Sequence, residues 1–415
     1  MPNVSASPDY TDEGRLLVRV NSPSIANPVP NATVRILEPN SGKVLEELTT
    51  DNSGKTMETI LGAPPIEYSM QLGDRKPYGL YDIQVSAQGF STNTIRNVQV
   101  LPDSTALQQA DLMPGAGSES DISIPDHTLW GNFPVKKWEE DVKPLPNPGG
   151  YVVLPEPVVP EYIVVHAGVP TDTSVPNYWI PFKDYIKNVS SCEIYSNWPE
   201  QTIIANVLAI ISFTLNRVYT EWYRGQGFDF TITNSTQFDQ AFTYGRNIFD
   251  EISQVVDNIF TSYITRPSIR QPLFTQYCDG KRVSCPTWMS QWGSKALGDQ
   301  GYLAMDILKQ YYGQDVYLMQ AQKVAGVPTS FPGTVLQNGS SGSHVRTIQE
   351  QLNRISDNYP AIPKVKVDGV YGQATVDAVE AFQRIFLLPV TGIVDFATWY
   401  KISHIYVAVT KIAEM

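Results

Sequence analysis

Cys278 and Cys285 flank a short polar loop, Asp-Gly-Lys-Arg-Val-Ser, and with Cys192 they are the three cysteines of this 415-residue chain. Two chemistries suit that spacing. Oxidised, the pair closes a local disulfide; reduced, it offers two thiolates to zinc, although a CxxxxxxC spacing with no nearby His lies outside the usual ligand patterns. The odd count leaves at least one thiol free. Four histidines, His127, His166, His344 and His404, are scattered along the chain, which gives little support to a His/Glu metal cluster of the kind metal-dependent amide hydrolysis uses. No cofactor or metal is expected, and neither a Walker loop nor a dinucleotide fingerprint occurs in a strand-to-helix context. With 22 Tyr and 8 Trp but only 17% charged residues, the composition suits binding of a neutral polymer, whose faces stack on aromatic rings. The net charge of −12 disfavours nucleic acid and an anionic membrane as partners.

These groups need elements to position them, and the pattern changes three times along the chain. From Gly14 to about Met113, strand-like runs (16–20, 32–37, 81–85 and 97–100) alternate with turn clusters such as Pro39-Asn40-Ser41-Gly42 and Asp51-Asn52-Ser53-Gly54, the short spacing of a β-sandwich. Residues 115–160 then turn Gly- and Pro-rich and predict an extended, exposed linker that is easily cut, with Lys143 to Pro155 the expected site. From 161 to 327 the pattern is mainly helical. Ser196 or Asn197 is expected to cap a helix with Pro199 in its first turn, and Ile203, Val207, Ile211 and Leu215 supply its buried face. Phe238, Phe242, Phe249, Ile252, Val256 and Ile259 suggest a second long helix, and Gly301 to Tyr312 a third. The run Ile203 to Leu215 is interrupted by Asn206, Ser212 and Thr214 and is shorter than the ~20 residues of a membrane span. No secretory signal is visible in the first ten residues, and the chain is expected to be soluble.

Beyond the Pro328 to Pro332 break, residues 328–415 show a weak internal duplication. Val367-Asp368-Gly369-Val370-Tyr371-Gly372 leads into Thr375, Val379 and Phe382-Gln383, and Val390-Thr391-Gly392-Ile393-Val394-Asp395 leads into Thr398-Trp399. Each Asp-Gly or Thr-Gly turn places a residue at positive φ before a Thr-capped helix, and the result is a compact three-helix module.

On these residues the chain resembles known families. LxxGSxGxxVxxIQxxLN, DGxYGxxTxxAVxxFQ and VTGxVDxxTW, over about Leu336 to Trp399, resemble the peptidoglycan-binding type 1 domain, which implies a groove for stem peptide or glycan near Asp368 and Tyr371. The order Ala32-Thr33-Val34, Thr50 to Gly54 and Tyr81 to Phe90 resembles the carboxypeptidase-regulatory, transthyretin-like sandwich, with no catalytic constellation. The middle of the chain resembles the SpoIID-like lytic domain on two stretches: Phe182 to Ile194 followed by Trp198-Pro199-Glu200, and Met289-Ser290-Gln291-Trp292-Gly293 followed by Gln300-Gly301-Tyr302 and Ile307-Leu308-Lys309-Gln310-Tyr311-Tyr312. Where many members of that family carry His-Gly-x-Gly before MSQWG, this chain has Ser284-Cys285-Pro286-Thr287-Trp288. Together the parts resemble the spore cortex-lytic enzymes of clostridia.

That resemblance implies a peptidoglycan lytic transglycosylase of the spore cortex or coat region. It further implies a zymogen with residues 1–114 as β-sandwich prosegment, activated in germination by a subtilisin-like protease of the Csp type. Glu193 is the implied general acid/base. It would protonate the glycosidic oxygen, then take the proton of the muramic C6 hydroxyl as that oxygen closes a 1,6-anhydro ring. Ile194, Tyr195 and Trp198 would give it an apolar surround. Trp198, Ser290, Gln291 and Trp292 are the expected substrate-groove residues, with Glu200 and Asp299 as conceivable second carboxylates. An N-acetylmuramoyl-L-alanine amidase and a non-catalytic wall-binding protein are the competing readings.

Overall fold

The computed structural model describes residues 9–22, 27–115, 117, 119–143, 156–323 and 334–413. At the N-terminal end two sheets face each other. In one, Asp12–Ser22 pairs parallel with Thr105–Asp111 and antiparallel with Thr59–Ala63. The other runs Val44–Thr49, Thr33–Leu37, Gly79–Ser86, Thr92–Val100, Glu119–Ser123. Leu16, Val18 and Val20 point inward from the first sheet, and Val34, Ile36, Ile83 and Val85 from the second, each series at period two, the alternation that a half-buried strand requires.

The first sheet does not end at the sandwich. Ile248–Phe249, far downstream, adds to it antiparallel, opposite Leu107 and Ala106. One apolar core accordingly runs from Leu16 and Val18 through Phe249 and Ile252 into the middle of the chain. The boundary expected at residue 114 is not a break in packing, since Glu119–Ser123 is a strand of the second sheet.

The middle region is built on helices α1 (Phe182–Glu193), α2 (Glu200–Tyr219), α3 (Asp250–Ile259), α4 (Gln291–Asp299) and α5 (Ala304–Tyr312). Small sheets fill in around them, the largest being Tyr162–His166 between Asn177–Pro181 and Ile232–Thr233. Helix α2 is buried on nearly all sides, as a central helix is, and its polar residues Asn206, Thr214, Asn216 and Arg217 are hydrogen-bonded inside the fold. With the turn that follows it, α2 is long and apolar enough to cross a membrane, but 94% of its most apolar 18-residue window is buried within the fold.

Two expectations change here. Pro199, not Ser196 or Asn197, occupies the N-cap of α2; Asn197 instead donates to Ser69 Oγ (2.7 Å) and the Pro102 carbonyl (3.2 Å) of the sandwich. The second long helix shrinks to α3. Phe238 and Phe242 lie in irregular chain before it, where Gly245 takes φ +77° and Asp239 is fixed by side-chain bonds, so their helical spacing was coincidental.

Residues 334–413 form the three-helix module: α6 (Ser343–Ser356), α7 (Gln373–Ile385) and α8 (Phe396–Ala413), with its own core around Ile348, Leu352, Phe382 and Trp399. The duplication is structural. Gln349 accepts the Asp368 and Gly369 amides and donates to the Val370 carbonyl and Thr375 Oγ1. Gln383 repeats every bond one unit later, with Thr391, Gly392, Ile393 and Thr398. Helix α8 leans on the middle region, with His404 Nδ1 2.9 Å from Glu161 Oε2 and Tyr406 edge-on to Trp179.

Candidate active site

Glu193 is the last residue of α1. Ile194 follows in extended conformation, its N–H donating to the Ser190 carbonyl, and the helix stops. A carboxylate at this end opposes the helix dipole, so helix stability does not explain its presence. It is 4% exposed and meets four donors. The Ala241 N–H (2.9 Å) and the Tyr277 hydroxyl (3.3 Å) point at Oε1; Gln291 Nε2 (3.3 Å) and the Thr128 hydroxyl (3.2 Å) point at Oε2. Gln291 also donates to the Glu193 carbonyl at 2.8 Å.

The surround is therefore polar, against the apolar one expected. Ile194, Tyr195 and Trp198 are buried but do not line the cleft. Trp198 donates its ring N–H to the Ser69 carbonyl of the sandwich at 2.8 Å and packs against Trp292, ring centroids 5.0 Å apart. Both indoles are core, because each fills the space between α2, α4 and the sandwich, and neither offers a face to a sugar.

Glu193 and Gln291 open onto a cleft of about 180 Å³ whose walls also include Thr128, Gly131–Pro134, Lys136, Thr236, Tyr277, Asp279, Arg282 and Val283. Burial pushes the Lys136 ammonium below the ordinary lysine range, while the negative charges of Glu193 and Asp239 act against that shift. Its Nζ donates to the Asp239 carbonyl (2.7 Å) and lies 4.3 Å from the Tyr277 ring centre. Burial also raises the Tyr277 phenol well above its usual value, so it stays a donor to Glu193.

Cys278 and Cys285 form a disulfide with Cα atoms 5.8 Å apart, and the loop they close is the far wall. A Cβ at Gly280 would collide with Ser290 Oγ, and its φ is +76°; only glycine lets the loop sit this close to α4. Ser290 caps α4 by accepting the Gly293 N–H at 2.9 Å, which makes it a structural support of Gln291. Cys192 is the buried free thiol. Among the described residues, no group of three or more His, Cys, Asp or Glu could hold a metal ion.

Asp279 is the second carboxylate on the cleft wall, and sequence reasoning missed it. Its oxygens are committed to the amides of Lys281, Arg282 and Val283 at 2.9–3.1 Å. The carboxylates considered beforehand, Glu200 and Asp299, do not line the cleft; Asp299 pairs with Lys295. Thr128, Lys136 and Tyr277 were missed as well, since no periodicity or motif marks them. In the C-terminal module Tyr371 is fully buried, its hydroxyl donating to the Gly392 carbonyl at 3.0 Å. Asp368 Oδ1 accepts the Val370 N–H of its own turn and Gln349 Nε2. Both residues hold the turns in shape, and Tyr371 presents no surface to a ligand.

Residues 341–402 match the family described as "Putative peptidoglycan binding domain". No curated protein matches the chain. Among solved structures, the SleB N-terminal domain is similar at 36% identity over 18% of this chain and 93% of that one, with a TM-score of 0.16. A Klebsiella pneumoniae 5-hydroxyisourate hydrolase is similar at 17% identity over 25% and 89%, TM-score 0.16. The Acinetobacter radioresistens catechol 1,2-dioxygenase is similar at 12% identity over 29% and 61%, TM-score 0.18. At such TM-scores these likenesses carry no argument about function.

Proposed function

We propose that this chain is a lytic transglycosylase that binds peptidoglycan through its C-terminal module and cleaves the glycan strands of the spore cortex, with Glu193 as sole acid and base. In this reading the N-terminal sandwich is transthyretin-like and the middle region SpoIID-like, the arrangement of the clostridial enzyme SleC. The chain would be a zymogen, opened by a subtilisin-like germination protease of the Csp type between Lys143 and Pro155, a stretch of which residues 144–155 lie outside the described ones.

The observation that carries the reading is that the cleft holds one usable carboxylate. Glu193 opens into it, whereas the Asp279 carboxylate is committed to holding its own loop in shape through the amides of Lys281, Arg282 and Val283. Hydrolytic glycosidases use two carboxyl groups facing each other across the bond. One carboxyl suffices when the nucleophile belongs to the substrate. Glu193 gives its proton to the glycosidic oxygen as the C1–O bond breaks and positive charge develops at muramic C1. The carboxylate so formed takes the proton of the C6 hydroxyl, whose oxygen bonds to C1; the products are a 1,6-anhydro end and a free 4-hydroxyl, and Glu193 is protonated again. Ala241 N–H and Tyr277 hold the carboxylate still between the two steps, as positioned acid/base chemistry requires.

Glu193→Gln tests this on cortex sacculi, after cleavage of the full chain by subtilisin. Loss of both proton transfers should cost at least about 10³-fold in release of anhydro-muropeptides, read by mass spectrometry, with binding to sacculi retained. Free stem peptides in place of anhydro ends would indicate an amidase, and unchanged sacculi a wall-binding protein without this activity.

A further inference from the structure

The residues that crowd Glu193 do not all come from the middle region. Thr128, Gly131–Pro134 and Lys136 belong to the segment that leaves the sandwich after Glu119–Ser123. This segment was expected to be an exposed linker, and Val135 and Trp138 are exposed, yet His127, Lys136 and Lys143 are buried and anchor it. After a turn at residues 128–130 it runs as an irregular strap across the face that carries the cleft.

The strap grips the end of α1 on both sides of Glu193. Thr128 donates its N–H (3.2 Å) to the Cys192 carbonyl and shares its one hydroxyl proton between that carbonyl (2.7 Å) and Glu193 Oε2 (3.2 Å), and His127 Nε2 lies 3.2 Å from the Ile194 carbonyl. Leu129 N–H points at His127 Nδ1, which assigns the proton to Nε2. Burial, helped by the Arg246 charge, holds that imidazole well below the usual histidine range, so this contact does not switch near neutral pH. Farther along, Arg282 donates to the Trp130 and Gly131 carbonyls and lies over the Trp130 ring. The strap then bonds backbone to backbone from Lys137 to Gln237 (2.6 Å). Glu139 meets the buried Arg217 at 2.7 and 3.0 Å, and Gln271 brackets Lys143 N–H and C=O at 3.0 and 2.9 Å. These contacts resemble those of an extended ligand in its groove.

The two carboxylate oxygens of Glu193 differ in what would remain without the strap. Oε1 keeps both partners, Ala241 and Tyr277, which belong to the middle region. Oε2 keeps Gln291 and loses Thr128. The space left beside them, about 180 Å³, is below the ~300–1,000 Å³ of sites that take small ligands, and a glycan must pass at least two sugars across the catalytic group.

We propose that residues 127–136 are a built-in occupant of the glycan cleft, and that the Thr128 hydroxyl covers Oε2, the oxygen of Glu193 that performs the proton transfers. The proposal rests on the transglycosylase reading and specifies how the uncut chain is kept silent. Removing the strap enlarges the cleft and exposes one lone pair at the reacting oxygen, without rebuilding any catalytic contact made by the middle region.

The test uses the full chain in three forms: uncut, cut by subtilisin between residues 143 and 156, and uncut with Thr128→Ala/Phe133→Gly to loosen the strap. Anhydro-muropeptide release from cortex sacculi is measured for each, and amide exchange is followed over residues 127–136 of the uncut wild type. The expected result is protected strap amides, an uncut wild type with no more than about a hundredth of the cut activity, and at least a tenfold gain in the uncut double variant that Glu193→Gln removes. Strap amides exchanging at unfolded rates in the uncut wild type overturn the proposal whatever the variant does. So does a folded double variant, of unchanged melting temperature, that is as silent as the uncut wild type while the cut chain is active. An inactive cut chain defeats the transglycosylase reading; protected strap amides would then still show that the strap is seated.

Discussion

Replacing Asn247 by Ala should loosen the sandwich from the middle region. Asn247 is fully buried just before the strand Ile248–Phe249 that joins the sandwich sheet. Its side chain imitates a strand neighbour, Oδ1 accepting the Gln99 N–H (3.1 Å) and Nδ2 donating to the Gln99 carbonyl (2.9 Å). Gln99 is 1% exposed, so water does not replace either bond. Alanine strands one buried donor and one buried acceptor at ~1–3 kcal/mol each, roughly 2–6 kcal/mol together. That is a large part of the ~5–15 kcal/mol by which domains are stable. The assay is urea unfolding followed by tryptophan fluorescence and by circular dichroism. The two probes are independent, because all eight tryptophans lie at Trp130 or later, while the sandwich strands up to Ser123 dominate the β signal. In the wild type the transition of the shared core should coincide by both probes; in Asn247→Ala its midpoint should fall. A shift worth less than about 1 kcal/mol refutes the hydrogen-bond argument. A wild-type sandwich that melts separately refutes the single core.

Alkaline pH should destabilise the chain. Burial raises the phenols of Tyr185, Tyr195, Tyr277 and Tyr312 well above the ordinary value of 10.0, and Tyr263 to about 12. The folded state therefore holds protons that the unfolded state releases; the stability involved is whole below pH 10 and is lost as pH rises through the folded values. Tyrosinate absorbance should rise together with loss of native fluorescence, and an ordinary titration centred near 10 with the fold intact would contradict the burial argument. In the C-terminal module, Gln349→Leu leaves the Asp368 and Gly369 amides unpartnered, while the Val370 carbonyl keeps the Gly372 N–H; at ~1–3 kcal/mol for each amide the cost is roughly 2–6 kcal/mol. Sacculus binding should weaken while cleavage of short soluble glycan strands by the cut chain is unchanged; tight binding by the variant would show that the turn is not needed.

The parts legible in sequence were those governed by local periodicity. Strands 16–20 and 32–37, the alternating Val and Ile of 81–85, and the C-terminal helices stand where the pattern puts them. Glu193 at the end of α1 and Gln291 at the start of α4 came from resemblance, and the fold brings them within 3.3 Å of each other. What the pattern hid was long-range pairing. Asp239 is fixed by Arg217, Tyr223 and Thr233, so the Phe238 and Phe242 spacing describes no helix. Trp198 and Trp292 have the residue type that grips sugars, yet two indoles that meet each other across α2 and α4 are worth more as core. The strap misled in part: Pro and Gly forecast an exposed linker, and Val135 and Trp138 are exposed, but such a chain can also be anchored if side chains such as Gln271 and Gln276 satisfy its backbone, as they do for Lys143, Glu139 and Lys137.

That anchoring bears on how a cut could matter. A protease acting between residues 143 and 156 breaks one covalent bond and none of the contacts of the strap. Before the cut, every departure of the strap is followed by intramolecular return, at an effective concentration that short tethers place in the millimolar range. After it, the strap remains joined to the sandwich, but the sandwich is held to the middle region only by non-covalent contacts, and dissociation of the two pieces becomes concentration-dependent. The buried Arg217–Glu139 pair, with side chains 0% and 11% exposed, then acts as a brake on departure, since separating it leaves the Arg217 charge facing Asp239 alone in the core. Glu139→Gln should therefore speed separation of the cut fragments, measured by size-exclusion chromatography after cleavage, and fragments that separate no faster than those of the wild type would remove Glu139 from the set of contacts that retain the strap.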